Sequence, residues 1–356
     1  MRRSVIAATS VLAVGLTLQA APAMAAPATI VSTCGTTVSG RAVLAADLTC
    51  ATGDGITLSD GAVLDLQKHT LTGAGAGTGI HYTAGGTATI KNGTVRNWDA
   101  GVGGGDFLSP STLTVFRLVL EDNETALAGD GATVAVSESR VSENEFGITG
   151  SNMFATVTTT RFLDNTGVAA SVVTGGRVAV ASSVFNGNNW GASCNEGALT
   201  VSASTFTDNT LAVSGSNCGV DVAGSTFTGN ATAYTTSFSP GIENEITSSK
   251  FISNTVAVST KVSTVLTGNK FYKNRTAFKA VPPSPDAADV TFTLDGNTFD
   301  RNLDALYVTF GSTLKNNHAI NNTRFGIYAP KATDLGGNTA YGNGSKPQCV
   351  GVACTP

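Results

Sequence analysis

Short runs of alternating apolar and polar residues recur along the chain, as in Leu199-Thr200-Val201-Ser202 and Leu211-Ala212-Val213-Ser214. A period of two marks β-strands, and enrichment in Thr, Val and Phe agrees with that reading. No stretch shows the period of a long amphipathic helix. The strands belong to a repeat. Asn recurs at Asn97, Asn123, Asn144, Asn165, Asn188, Asn209, Asn230, Asn254, Asn274, Asn302, Asn322 and Asn343, at intervals of 20 to 28 residues and most often 21. Three residues before these, from Leu120 onward, runs an apolar series: Leu120, Val141, Phe162, Phe185, Phe206, Phe227, Phe251, Phe271, Phe299, Ala319 and Ala340. Five residues before runs a small polar one, from Ser139, Thr160, Ser183, Ser204, Ser225 and Ser249 to Asn269, Asn297, Asn317 and Asn338.

A unit of about 21 residues holding short strands and tight corners cannot bury its apolar face alone, whereas stacked units can. The pattern therefore predicts coils lying ~4.8 Å apart, so that the eleven intervals from Asn97 to Asn343 span roughly 53 Å. Stacking places seven phenylalanines in one interior column. It also sets the asparagines at a corner, where Asn tolerates left-handed backbone and its amide can bond to its counterpart one coil away. Asn92, Asn123, Asn230 and Asn274 also fit the N-x-Ser/Thr acceptor pattern, but ladder spacing explains them better than glycosylation does.

Residues 1–25 read as an export signal: Arg2 and Arg3, an apolar run from Val5 to Leu18, and the small-residue site Ala23-Met24-Ala25. The expected mature unit is one domain over 26–356, with an N-terminal cap near 26–56 and a C-terminal cap near 344–356. No later apolar run approaches the ~18 residues of a membrane span. Charged residues make up 13% of the chain, about half the usual share, and the formal net charge is −4. This balance argues against a nucleic-acid binder, which needs a basic face. The six cysteines fall into three local pairs, Cys34 with Cys50, Cys194 with Cys218, and Cys349 with Cys354, a reading from proximity among 15 connectivities. An even count suits an oxidising, extracellular destination.

The stretches CGTTVSGRAVLAADLTC, ITLSDGAVLDLQKHTLTGAGAGTGI and IKNGTVRNWDAGV, the repeated FxxN corners and the closing GGNTAYGNGSKPQCVGVAC resemble secreted right-handed parallel β-helix repeat proteins of the pectin-lyase-like superfamily. The resemblance implies an all-β, right-handed parallel β-helix of about 12–13 coils with a disulfide-bonded N-terminal cap. It leaves function open, because that superfamily includes lyases, hydrolases, epimerases, esterases, tailspikes and proteins without known activity. The signatures of its polygalacturonases, pectate lyases, esterases and alginate epimerases are missing from the chain.

A uronate lyase of this fold needs a cation to neutralise the substrate carboxylate and a base to remove the neighbouring proton. Both are present on the early coils. Asp122, Glu143 and Asp164 precede ladder asparagines, and Arg140 and Arg161 take an outward position three residues before Glu143 and Asp164. This gives an acidic stripe flanked by stacked arginines, whose repulsion a bound Ca²⁺ would relieve. The stripe is open to three readings: a solvated face, a catalytic or calcium-assisted groove, or passive polysaccharide contact. A second candidate is the Gly-rich segment RNWDAGVGGGDFLSPS, where Trp98 is placed to stack on a sugar and Asp99 and Asp106 to act as acid and base, unless Trp98 only covers an early coil. His69, within LDLQKHTLTG of an early coil, reads as structural, and His81 and His318 lack a nearby nucleophile or metal partner in the sequence. Two interruptions of the repeat, at 231–248 with Glu243 and Glu245 and at 278–291 with VPPSPDAAD, read as excursions. Two functions stay level: binding or processing extracellular polysaccharide, by lyase or epimerase chemistry if catalytic, and a non-catalytic structural or adhesion module.

Overall fold

The computed structural model describes residues 27–237, 241–280 and 290–355. The predicted export signal and the VPPSPDAAD segment lie outside them. The described chain winds into an all-β parallel β-solenoid of about 14 turns. A central coil has three strands, for example Ala198–Ser202, Thr205–Thr207 and Leu211–Ser216. The first two of each coil join a 27-stranded sheet and the third joins a 15-stranded sheet. All pairings between named strands are parallel; for example, Phe185 stands over Phe206 and Phe206 over Phe227. Fifteen strands at ~4.8 Å spacing make a rod of roughly 67 Å.

The rod is longer than the 12–13 coils expected because the first turns carry no ladder asparagine. Strands such as Thr36–Val38 and Ile56–Leu58 stack in the same register as those that follow, but their corners are made by Gly53, Gly61, Gln67 and Lys68 at positive φ. A count based on asparagines therefore starts too late.

Later coils turn twice at left-handed residues. One corner is made by Thr159, Ser182, Ala203 or Ser248, just before the small polar column, and the other by the residue just before the ladder asparagine. Left-handed backbone costs an L-residue roughly 1–2 kcal/mol. The ladders inside the corners offset this. Each asparagine Oδ1 accepts from both the backbone N–H and the side-chain amide of the asparagine one coil earlier; Asn188 to Asn209 measures 3.0 Å for both. The same amide also donates to a carbonyl of the previous coil, as Asn209 does to Phe185 at 3.1 Å. The small polar column repeats the device, with the backbone N–H of Ser183 donating to Ser204 Oγ at 3.1 Å.

The ladder is closed at both ends by other residues. Asn97 is not its first member: it lies exposed at φ 61 in the corner position, its N–H donating to Asp122 O. Trp98 takes the ladder place and donates its backbone N–H to Asn123 Oδ1 at 3.2 Å. At the far end Gln348 Oε1 accepts from both the N–H and the amide of Asn343, each at 2.9 Å.

Beside the ladder, Phe162, Phe185, Phe206, Phe227, Phe251, Phe271 and Phe299 form one stack. Neighbouring centroids are 4.4–5.0 Å apart and planes are inclined by 5–11°. The strand spacing imposes this separation. The stack is wide, and the facing interior column is accordingly small: Ala169, Gly191, Ala212, Ala233, Ala257 and Ala277 are all buried. A Cβ at Gly191 would meet Ala212 O at 2.4 Å and the Phe206 ring at 3.1 Å. Disulfides join Cys34 to Cys50, Cys194 to Cys218 and Cys349 to Cys354.

Candidate functional site

The residues of the acidic stripe occupy the second corner. Asp122, Glu143 and Asp164 have φ of 55°, 59° and 54°, the position taken by Gly187 and Gly229 on later coils. Backbone geometry thus accounts for their residue types in part, since Asp and Gly are among the residues that tolerate this conformation. Asp164 also lies over the next coil: a Cβ at Gly187 would come within 2.1 Å of its Oδ1. Arg140 and Arg161 are register partners on adjacent strands, as their spacing predicts. Arg140 is shared between Glu121 and Glu143, at 3.8 Å each, and its Nε is buried without a hydrogen-bond partner. Arg161 is exposed. The structure therefore pairs Arg140 with Glu143, stacks Arg161 on Arg140, and puts Asp122 and Asp164 in the same corner column as Glu143. Among the described residues, no group of three or more His, Cys, Asp or Glu is arranged to hold a metal ion.

The second sequence candidate does not assemble as a sugar site. Trp98 is 1% exposed, its ring packed where a Cβ at Gly73 or Gly79 would fall and its Nε1 3.4 Å from Leu71 O. No ring face is left for a ligand, because the ladder position points inward. Asp99 and Asp106 flank the five-residue strand Ala100–Gly104, an extended run of roughly 13 Å. Asp99 accepts from Gly77 N–H at 3.1 Å and Asp106 from Leu108 N–H at 2.9 Å, so each is occupied locally and they do not form an acid–base pair.

A different surface is concave. On the outer face of the 15-stranded sheet, two open hollows of about 600 and 440 Å³ meet at Trp190, Leu211 and Thr235. Trp190 is 43% exposed. It stands in a column with Val168 before it and Leu211, Thr232 and Val256 after it. Alongside runs a hydroxyl column, Ser171, Ser193, Ser214, Thr235 and Ser259, ending at Lys279. Within these hollows Lys279 is the one charged side chain. A flat aromatic face beside regularly spaced hydroxyls, on a regular sheet and with one lysine at the end of the column, suits a polyhydroxylated ligand with apolar faces.

The signal for Trp190 lies in its phase against the ladder. Trp190 opens its strand one residue before the buried Gly191, and strand alternation turns it to the face opposite Gly191, whereas Trp98 stands in the ladder itself.

No family model matches the chain, and no curated protein matches it. Among solved structures, the chain is similar to the catalytic domain of a GH87 α-1,3-glucanase in complex with tetrasaccharides, at 11% identity and a TM-score of 0.41, covering 80% of this chain and 64% of that one. It is also similar to a double mutant of the tailspike protein of E. coli bacteriophage HK620, at 10% identity and a TM-score of 0.34, covering 85% of this chain and 68% of that one. The chain thus spans just under two thirds of the length of the glucanase domain.

Proposed function

We propose that this protein acts outside the cell as a non-catalytic binder of polysaccharide, laying a glycan along the outer face of the 15-stranded sheet with Trp190 as its sugar platform. The observation that carries this reading is Trp190, 43% exposed at the meeting point of two hollows whose one charged lining residue is Lys279. The supporting sheet is rigid, so little ordering cost opposes binding. The three disulfides fit an oxidising compartment.

The chain has two tryptophans, and one is buried. A glycan reaching the face therefore changes the fluorescence of Trp190 and leaves Trp98 as an internal reference. Titration with neutral and uronic-acid polysaccharides is expected to give saturable quenching that Trp190→Ala removes. Quenching that persists in Trp190→Ala, or none with any glycan, overturns the reading.

A second reading keeps the stacked Arg140 and Arg161 as carboxylate-neutralising groups beside Glu143, with Asp122 and Asp164 at the edge and lyase or epimerase chemistry as the reaction. The register of the two arginines favours it. Growth of unsaturated-product absorbance on a uronate polymer, lost in Arg161→Ala, is its test. Absence of such growth across the panel from folded protein removes this reading.

A further inference from the structure

Charge is segregated along the rod. From Leu113 to Thr210 there are four arginines against ten carboxylates, whereas from Lys250 to Ala280 there are six cations, Lys250, Lys261, Lys270, Lys273, Arg275 and Lys279, and no Asp or Glu. This concentration stands out in a chain of net charge −4. The cations are also focused by the fold. Lys250 and Lys270 are register partners on adjacent strands, which puts their backbones ~4.8 Å apart with both side chains exposed. Tyr272 lies two residues along the same strand as Lys270. Lys273 Nζ lies 5.1 Å from the Tyr272 ring centroid and Arg301 Cζ 5.7 Å from it, while Arg301 donates to the Tyr272 hydroxyl at 3.0 Å. Among the described residues, the ion pair found in this group is Arg301 with Asp300, at 4.0 Å. Lys250, Lys270, Tyr272, Thr298 and Asp300 line a hollow of about 270 Å³.

We infer that this belt is an anion-recognising site for an acidic glycan, distinct from the Trp190 trough. Lys250 and Lys270, for which no ion pair is found among the described residues, repel one another, and a chain of regularly spaced carboxylate or sulfate groups relieves that repulsion at several points at once. The chemistry favours a sugar over a bare anion. Asp300 would repel an inorganic ion, but it offers an acceptor to a sugar hydroxyl, and the Tyr272 ring offers an apolar edge. Arg275 and Lys279 carry positive charge from the belt around the Asn274 corner toward the trough, where Lys279 is the terminal lining residue.

The test uses the full chain and measures affinity for polygalacturonate, dextran sulfate and neutral dextran at low salt and at about 0.5 M, where charge interactions are strongly screened. Polygalacturonate or dextran sulfate is expected to bind at low salt, at least about tenfold more tightly than at high salt, and the stronger of the two identifies carboxylate or sulfate as the preferred group. Combined Lys250→Ala, Lys270→Ala and Lys273→Ala should weaken that binding about tenfold or more, while the corresponding triple arginine variant retains it and controls for folding. In Trp190→Ala the belt still retains the acidic glycan. Undiminished affinity in the triple alanine variant, or loss in Trp190→Ala, overturns the proposal, the second by assigning the ligand to the trough. Salt-sensitive dimers without glycan, abolished by the triple alanine variant, also overturn it, because the belt's partner is then the acidic coils of a second copy.

Discussion

The central coils and the two ends of this rod are held by different chemistry. Between Asn123 and Asn343 the corners are fixed by buried neutral amides and hydroxyls, and the core by seven stacked rings. At the ends, carboxylates and disulfides take over. Asp47 accepts from Thr70 N–H, Asp60 from Thr87 N–H, and Asp334 from both Gly336 and Ala353 N–H, while Cys34–Cys50 and Cys349–Cys354 close the first turn and the last. An interior coil gains a neighbour on each side, whereas a terminal coil has only one and must find compensation locally. Central order therefore rests mainly on groups that do not titrate, with Cys194–Cys218 as its one disulfide, whereas terminal order depends more heavily on carboxylates and disulfides.

Charge in the ring stack gives the largest expected effect. Phe206→Asp places a carboxylate between two rings where no partner exists, and folding should be abolished, read as loss of soluble protein and of the far-ultraviolet β signal. A stable variant would refute the central column as the main support. Breaking one ladder rung comes next. Asn209→Leu leaves the N–H and amide of Asn188 without their acceptor, and the cost is expected at about 3 kcal/mol or more in urea unfolding, since each buried unsatisfied group costs about 1–3 kcal/mol. Loss of the first disulfide in Cys34→Ser/Cys50→Ser frees a 16-residue separation and should cost about 3 kcal/mol. Hydrogen exchange should show that loss in the coils before Trp98 and not in the phenylalanine stack. A uniform loss along the rod would erase the distinction between ends and middle.

Acid gives the smallest and most selective effect. Backbone N–H donors hold the Asp47, Asp60 and Asp334 carboxyls below their ordinary values, Thr70 for the first, Thr87 for the second, and Gly336 and Ala353 for the third. Their contribution is present above the unfolded carboxylate range and fades as pH falls through the lower folded values. Below about pH 4 the end coils should exchange faster while the central ladder stays protected. Equal acid sensitivity at Asn188–Asn230 would refute the division.

Much of this was legible because a solenoid writes its contacts at a fixed period. The phenylalanine column and both ladders follow from spacing alone, since residues about 21 apart in sequence are neighbours in space, while the cysteine pairs, 16, 24 and 5 residues apart, were read from proximity. The signal failed where a different residue fills a repeated place. Trp98 stands in the ladder one residue after Asn97, so an asparagine count shifted the register there, and of the two roles the sequence left open, sugar platform or cover over an early coil, its burial fits the second. Asp122, Glu143 and Asp164 read as a charged stripe, while the backbone assigns them to a left-handed corner that glycine also serves. The Trp190 face escaped notice because none of its serines and threonines carries a motif.

The amino-acid sequence by itself determined the winding unit, the interior columns and the segregation of charge, because each is a property of a repeat whose period sets what stacks on what. Only the tertiary structure decided which of two tryptophans meets solvent, which acids serve corners, and that the Trp190 trough and the cationic belt lie on different faces. Those outcomes depend on side-chain direction at each corner and on how neighbouring coils fill the space, and a one-residue change of phase reverses both.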